Sequence, residues 1–190
     1  RSALLRGQGL SKKEVCVSGR WEGFILDKVD EAIGEYEADR EAYRKEFLRA
    51  SKHFKVIKDL ESVPGIGLVG AVKVAAIVVS VDRFESTNHY LSYCGLVRLE
   101  KISGGNSYGY RVPRHRRDLK AVFKTAAMSC ITHEGDFKNY YEDLMSRKRY
   151  PEYRARHALA RKIAIAAKGV MASRLKFKPD KMGVLREIRS

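Results

Sequence analysis

Only four prolines interrupt the 190 residues, and that scarcity argues against short strands punctuated by Pro and Gly turns; long helices are expected. Cysteine is rarer still. Cys16, Cys94 and Cys130 form an odd, scattered set, which points away from a disulfide framework or a zinc site and toward reduced thiols. The five histidines, His53, His89, His115, His133 and His157, each stand alone, without metal-ligand spacing. No apolar run approaches the length of a membrane span and no secretory leader is evident, so a cytosolic chain with no membrane partner is expected. An ATPase phosphate loop is missing, as are the clustered carboxylates that a two-metal nuclease needs. The residue types of a tyrosine recombinase exist, but in no recognisable order. The chain starts at Arg1 rather than Met, and is expected to be part of something longer.

What is present in excess is positive charge, and it is segregated. Thirty-eight Lys and Arg stand against 23 Asp and Glu, a net charge of +15. Residues 98–190 hold 23 of the basic side chains and only 9 of the acidic ones. A localised positive field implies a polyanionic partner, because phosphate contacts release condensed counterions. A solvated surface kept for solubility is the alternative, but solubility does not require segregation.

The pattern divides the chain into a helical arm (1–55), a main domain (56–175) and a basic tail (176–190). From about Arg20 to Asp59 the sequence lacks proline, and Ile25, Val29, Ala32, Tyr36, Tyr43 and Ala50 fall on a four–three rhythm. That rhythm is the stripe of a long helix meeting a partner, either a coiled-coil arm used for oligomerisation or a helix packed on its own domain. Val63-Pro64-Gly65-Ile66-Gly67 must stop it, and an apolar helix follows from about Leu68 to Ser80. Ser86 is a candidate N-cap for a short helix through Tyr93, with Gly95 just past its end. Leu96–Ile102 and Tyr108–Val112 read as two strands around a Ser103-Gly104-Gly105-Asn106 turn. Helices are then expected over about Arg114–Glu134, Phe137–Arg147 and Pro151–Ser173, with the tail from Lys176 loosely ordered. The fold class is mainly α: a helix-hairpin-helix domain with a small β-hairpin and a long N-terminal coiled-coil-like helix.

Three motifs carry candidate chemistry. The spacing Ile57-x-x-Leu60-x-x-Val63-Pro64-Gly65-Ile66-Gly67-x-x-x-Ala71 is similar to a helix-hairpin-helix. There the amides around Gly65, Ile66 and Gly67 and the following helix N-terminus meet a phosphate, which positions a backbone without reading sequence. A plain glycine joint between helices is the alternative. The second motif is Ser103 on the Gly104-Gly105 turn, followed by Arg111, Arg114, Arg116, Arg117 and Lys120. A serine held beside several guanidinium groups is a candidate nucleophile for a phosphodiester, the cations stabilising the non-bridging oxygens. From spacing alone an ordinary turn is the commoner meaning. The third is the segment Arg147–Lys168, with eight basic residues against Glu152 alone. Here Arg154, Arg161, Lys162 and Lys168 share a broad helical face that reads as a backbone-tracking surface or a solvated one. Tyr140, Tyr141, Tyr150 and Tyr153 lie nearby, expected in helical packing, with stacking on unpaired bases the alternative.

Taken together, Leu60 to Gly67, Phe84, Tyr90-Leu91-Ser92-Tyr93-Cys94-Gly95-Leu96-Val97 and Ser103-Gly104-Gly105 follow a known order. The chain resembles the C-terminal domain of the insertion-sequence one-ten family of transposases, relatives of the Piv DNA invertases, from about Val56 to Ser129 and more weakly to Met171. The resemblance implies a longer bacterial protein whose N-terminal ribonuclease-H-like domain carries four acidic ligands for magnesium. It also implies that Arg20–Asp59 is part of a coiled coil, that Ser103 attacks DNA to form a covalent phosphoserine link, and that a structured bridge RNA specifies the DNA. Two departures stand out: Arg98 occupies the place of a usual proline after Gly-Leu-Val, and Pro113-Arg114-His115-Arg116-Arg117 replaces Lys-Arg-Gly-Asn-Arg.

The expectation is therefore the DNA-binding, serine-bearing part of a recombinase, holding no metal or cofactor of its own and binding nucleic acid without cutting it. Duplex DNA, the bridge RNA and further copies of the chain are the expected partners. The alternative is a non-catalytic helix-hairpin-helix module that positions DNA or binds a guide RNA.

Overall fold

The structure, a computed structural model, describes residues 20–111 and 113–178; residues 1–19 of the expected arm, Cys16 among them, Val112 and residues 179–190 of the expected tail lie outside them. By internal packing the chain forms two compact units, residues 1–46 and 47–190.

Helix α1 spans Arg20–His53. With no proline to remove a donor, its ladder runs unbroken, and Lys28 supports it by pairing with Glu31 at 2.5 Å. Its apolar stripe is covered unevenly among the described residues: Ile25 and Tyr36 are 48% and 75% exposed, whereas Val29, Ala32 and Ala50 are half-buried, Ala50 against the core. The helix ends earlier than the proline pattern suggests. Phe54 takes an extended backbone, φ −110° and ψ 98°, and a separate helix α2 follows at Lys55–Glu61. That break frees α2 to turn Ile57 and Leu60 into the core.

The glycine turn then leads to α3, Leu68–Val78. Ala71, Val74 and Val78 are buried along one face of α3, and its Gly70 comes so close to Val122 that a Cβ there would stand 3.3 Å from that side chain. Helix α4, Thr87–Tyr93, starts as its sequence requires: the Ser86 hydroxyl accepts from the His89 amide at 3.1 Å. It ends in a Schellman turn, where Gly95 (φ +70°) donates to Ser92 and Leu96 donates to Leu91. Both leucines are fully buried, completing the apolar contact that accompanies this turn.

Strands β1 (Leu99–Ser103) and β2 (Asn106–Arg111) pair antiparallel. β1 begins three residues later than expected because Leu96 is committed to the core and cannot join an exposed ladder. Helices α5 (Arg117–Thr132), α6 (Asp136–Ser146) and α7 (Glu152–Ser173) complete the domain. α5 also begins three residues late, since the segment before it is tied elsewhere: the Arg116 amide donates to the Tyr93 carbonyl at 2.9 Å. α7 runs through the centre, its buried Ala155, Ala160, Ala164 and Ala167 letting neighbouring helices approach. Phe123, Leu159 and Ile163 fill the space between α5 and α7. Tyr140 and Tyr141 are buried, as core packing required. Beyond α7 the start of the tail is docked rather than loose, with Phe177 stacked on Phe137 at 5.7 Å and its amide donating to the Ser62 hydroxyl.

Candidate nucleic-acid interface

Two glycine turns were expected to meet DNA, and the fold treats them differently. In the first, Gly65 sits at φ +83°, and a Cβ there would stand 2.4 Å from the Ala126 carbonyl oxygen and 2.7 Å from Cys130 Sγ, both on α5. The Cys130 thiol donates to the Pro64 carbonyl at 3.2 Å, fastening the same turn. Burial pushes that thiol up to about 11, so it stays protonated as the donor this bond needs. Ile66 is buried at 4% exposure, and its amide is taken by the Val63 carbonyl. Pro64 and Gly65 are exposed as well, but of the two glycines only Gly67 has room for a side chain: no described atom lies within 4 Å of a Cβ built there, and it is the N-cap of α3. The amides of α3's first turn open beside it, a helix N-terminus of the kind that receives phosphate.

In the second turn every residue of both strands is exposed. Gly104 and Gly105 have φ of +56° and +79°, the two positive values that define a type I′ turn. Ser103 is both the last residue of β1 and the first of the four-residue turn, paired across it with Asn106. Between the Glu100–Tyr110 and Ile102–Ser107 pairs, β2 carries one residue more than β1, a bulge at Tyr108 and Gly109 opposite Lys101. The strands pack extensively only on each other, and an isolated hairpin is marginal in water. Ile102, Tyr108 and Tyr110 are each about two-thirds exposed. Among the described residues the Ser103 hydroxyl makes no hydrogen bond, and no group of three His, Cys, Asp or Glu converges to hold a metal ion. The residues present therefore offer no ligand set for magnesium, and no step here runs through one.

The basic side chains fall into separate groups. Arg111 closes β2 opposite Leu99, and Arg114, Arg116 and Arg117 follow, all exposed, with Lys120 half-buried on α5. Arg116 Nε donates to the Tyr93 hydroxyl at 3.2 Å, while the Arg83 guanidinium lies 4.7 Å from the Tyr93 ring centre and 4.8 Å from that of Phe84. Burial raises the Tyr93 phenol, but the hydrogen bonds and charges of Arg116 and Arg83 outweigh it and hold its pKa below the usual value. One guanidinium thus bonds the Tyr93 hydroxyl while a second lies over its ring, two cations close enough together to suit a phosphate. Arg83 was not among the expected site residues; its partner lies ten positions along, and no periodicity links them.

On α7 the expected shared face is partly spent on packing. Arg154 lies 4.1 Å over the Tyr150 ring, Lys162 lies 5.6 Å over Tyr140 of α6, and Lys168 donates to Thr87 at the start of α4. Arg161 is half-buried. No described helix is long and apolar enough to cross a membrane.

Residues 57–142 match the family described as Transposase IS116/IS110/IS902. The chain is 27% identical over 111 residues to an uncharacterized 44.8 kDa protein of insertion element IS116 from Streptomyces clavuligerus, covering 58% of this chain and 27% of that one. It is 31% identical over 84 residues to an uncharacterized 43.6 kDa protein of insertion element IS110 from Streptomyces coelicolor, covering 44% and 21%. The chain thus matches about a quarter of the length of these curated relatives.

Proposed function

The chain carries a transposase domain of the IS116/IS110/IS902 family, and from that premise we propose that it is the DNA-handling part of a recombinase whose nucleophile is Ser103. The observation that carries this reading is the position of Ser103. It ends β1 against a type I′ turn on a wholly exposed hairpin, its hydroxyl unpartnered among the described residues, with four exposed arginines following in sequence.

In the proposed step the Ser103 Oγ–P bond forms and the P–O bond to one deoxyribose oxygen breaks. The hydroxyl proton leaves and the released sugar oxygen takes one up. This chain's residues supply position and charge: Gly67 and the first turn of α3 hold one phosphate, and Arg83 with Arg116 holds another. Arg111, Arg114 and Arg117 stabilise non-bridging oxygens near the hairpin. Activation of the hydroxyl is assigned to the rest of the full-length protein, so the 190-residue chain alone binds DNA without cutting it. Magnesium-dependent cleavage by the chain alone would contradict this.

In the full-length protein, Ser103→Ala should abolish recombination and the covalent protein–DNA adduct while leaving gel-shift affinity within about twofold. Unchanged recombination would reduce Ser103 to a turn residue and leave a DNA-positioning module. For the chain alone, about six engaged phosphates give a slope near −5 for log affinity against log salt. Neutralising Arg114, Arg116 and Arg117 together should flatten that slope by about 2.7, at roughly 0.9 per phosphate lost.

The exposed Ile25 and Tyr36 on the stripe of α1 support a second element of the proposal, that α1 pairs with another copy of the chain. Light scattering should then show a dimer that Ile25→Lys with Tyr36→Lys separates into monomers. A structured RNA is the further proposed partner, and its competition with duplex DNA for the basic half tests that.

A further inference from the structure

A second basic feature lies apart from the glycine turns. Where α5 meets α7, beside the root of β1, a cavity of about 340 Å³ is lined by Arg98, Lys124, Met128, Tyr153, Arg156 and His157. Its walls follow from helical spacing. Lys124 and Met128 stand four apart on α5, and Tyr153 and His157 stand four apart on α7, so two packed helices present matching rows. Arg98, the residue that replaces the usual proline, closes one side.

Three features constrain the ligand. Among the described residues the lining holds three fixed cations and no carboxylate; the acid nearest in sequence, Glu152, makes an exposed pair with Arg156, too weak to neutralise the site. Tyr153 is 67% exposed and Met128 is 45% exposed, whereas Tyr140 and Tyr141 are buried and Tyr150 lies beneath Arg154. Tyr153 therefore presents a free aromatic face beside a soft thioether. The volume is at the lower end of the roughly 300–1,000 Å³ typical of ligand pockets, room for one nucleotide and too little for a duplex. An acidic peptide would match the cations but would make no use of the flat ring.

We propose that this cavity receives a single unpaired nucleotide of the bound DNA, its base against Tyr153 and Met128 and its phosphate between Arg98, Lys124 and Arg156. His157 suits the role. Its Nε2 lies 3.1 Å from the Leu96 carbonyl and must donate to it, which leaves Nδ1 as the acceptor of a neutral ring. Burial, with Arg161, Arg98 and Lys124 adding to it, lowers its pKa against the opposing Leu96 bond. Strand exchange needs bases that have left the duplex. Arg98 and Ser103 are five strand residues apart, roughly 17 Å, so a held base would lie within a few nucleotides of the reacting phosphate.

The inference rests on the DNA-handling reading and is separable from it by experiment. The 190-residue chain is titrated into a closed duplex and into the same duplex with one central nucleotide unpaired and replaced by 2-aminopurine. Expected are about tenfold tighter binding of the unpaired substrate and quenching of its fluorescence. Tyr153→Ala, at an exposed position, should remove both, reflecting the loss of one stacked base, with duplex affinity and unfolding midpoint unchanged. Arg98→Gln with Lys124→Gln should weaken the unpaired substrate more than the duplex. Equal affinity for the two substrates, or quenching that survives Tyr153→Ala, overturns the inference while leaving the DNA reading intact. Failure to bind either DNA overturns both.

Discussion

The two glycine turns look alike in sequence and differ in what their glycines are for. At Val63–Gly67 the first glycine is demanded by a neighbour, because Ala126 O stands where its Cβ would be. At Ser103–Asn106 no described atom lies within 4 Å of either added Cβ, and the backbone angle is what requires glycine. The first turn is a packing joint with one open edge, at Gly67; the second projects a strand end into solvent. A phosphate-binding role cannot be assigned to a glycine turn as a unit: it belongs to whichever residues the fold leaves uncovered.

The largest effect expected from this difference is at Gly65. Gly65→Ala combines a left-handed backbone cost of about 1–2 kcal/mol with overpacking of roughly 1–3 kcal/mol against an immovable carbonyl. Urea unfolding should show a loss of about 2–5 kcal/mol in global stability. A loss below about 0.5 kcal/mol would mean that α5 moves aside freely.

Gly104→Ala or Gly105→Ala should cost about 1–2 kcal/mol from the backbone alone, and that cost should be local. Amide exchange in β1 and β2 should accelerate severalfold while the global unfolding midpoint stays put, since the hairpin packs mainly on itself. An equal shift in the global midpoint would show that the hairpin is part of the core after all.

The hairpin's root is tied to α7 through the His157 bond to Leu96. His157 has a lowered pKa, principally from burial, so on acidification the unfolded chain takes up a proton before the folded one does. Stability is therefore full above the unfolded value of about 6.5 and falls as pH drops toward the lowered native value. His157→Gln, which keeps a donor, should flatten this acid limb in unfolding measured between about pH 7 and 5. An unchanged slope would assign the acid sensitivity to other groups.

How far the sequence foresaw these features depends on the range of the interaction. The Ser86 cap, the Gly95 turn, the type I′ geometry and the existence of every described helix except α2, which the pattern merged with α1, are set within a few residues, and the pattern revealed them. Element ends decided at long range were missed: β1 starts at Leu99 because Leu96 is buried, and α5 starts at Arg117 because Arg116 is held by Tyr93. The same reason hid Arg83 and the Arg98–His157 cavity, whose members come from different segments and meet only after α5 and α7 pack. Ser103 and the arginines after it were visible because they lie close together in one exposed stretch.

Gly67→Ser is the smallest change and separates packing from binding within one turn. Gly67 is an N-cap without a side-chain bond, its φ is an ordinary −85°, and space surrounds it. Serine is a better cap than glycine by a few tenths of a kcal/mol, so the unfolding midpoint should hold or rise slightly. Its hydroxyl would, however, occupy the amides of α3's first turn that the proposed phosphate needs, and duplex affinity should fall severalfold. A stable variant with unaltered affinity would move the phosphate contact away from the glycine turn and leave the exposed hairpin and its arginines as the surface that meets DNA.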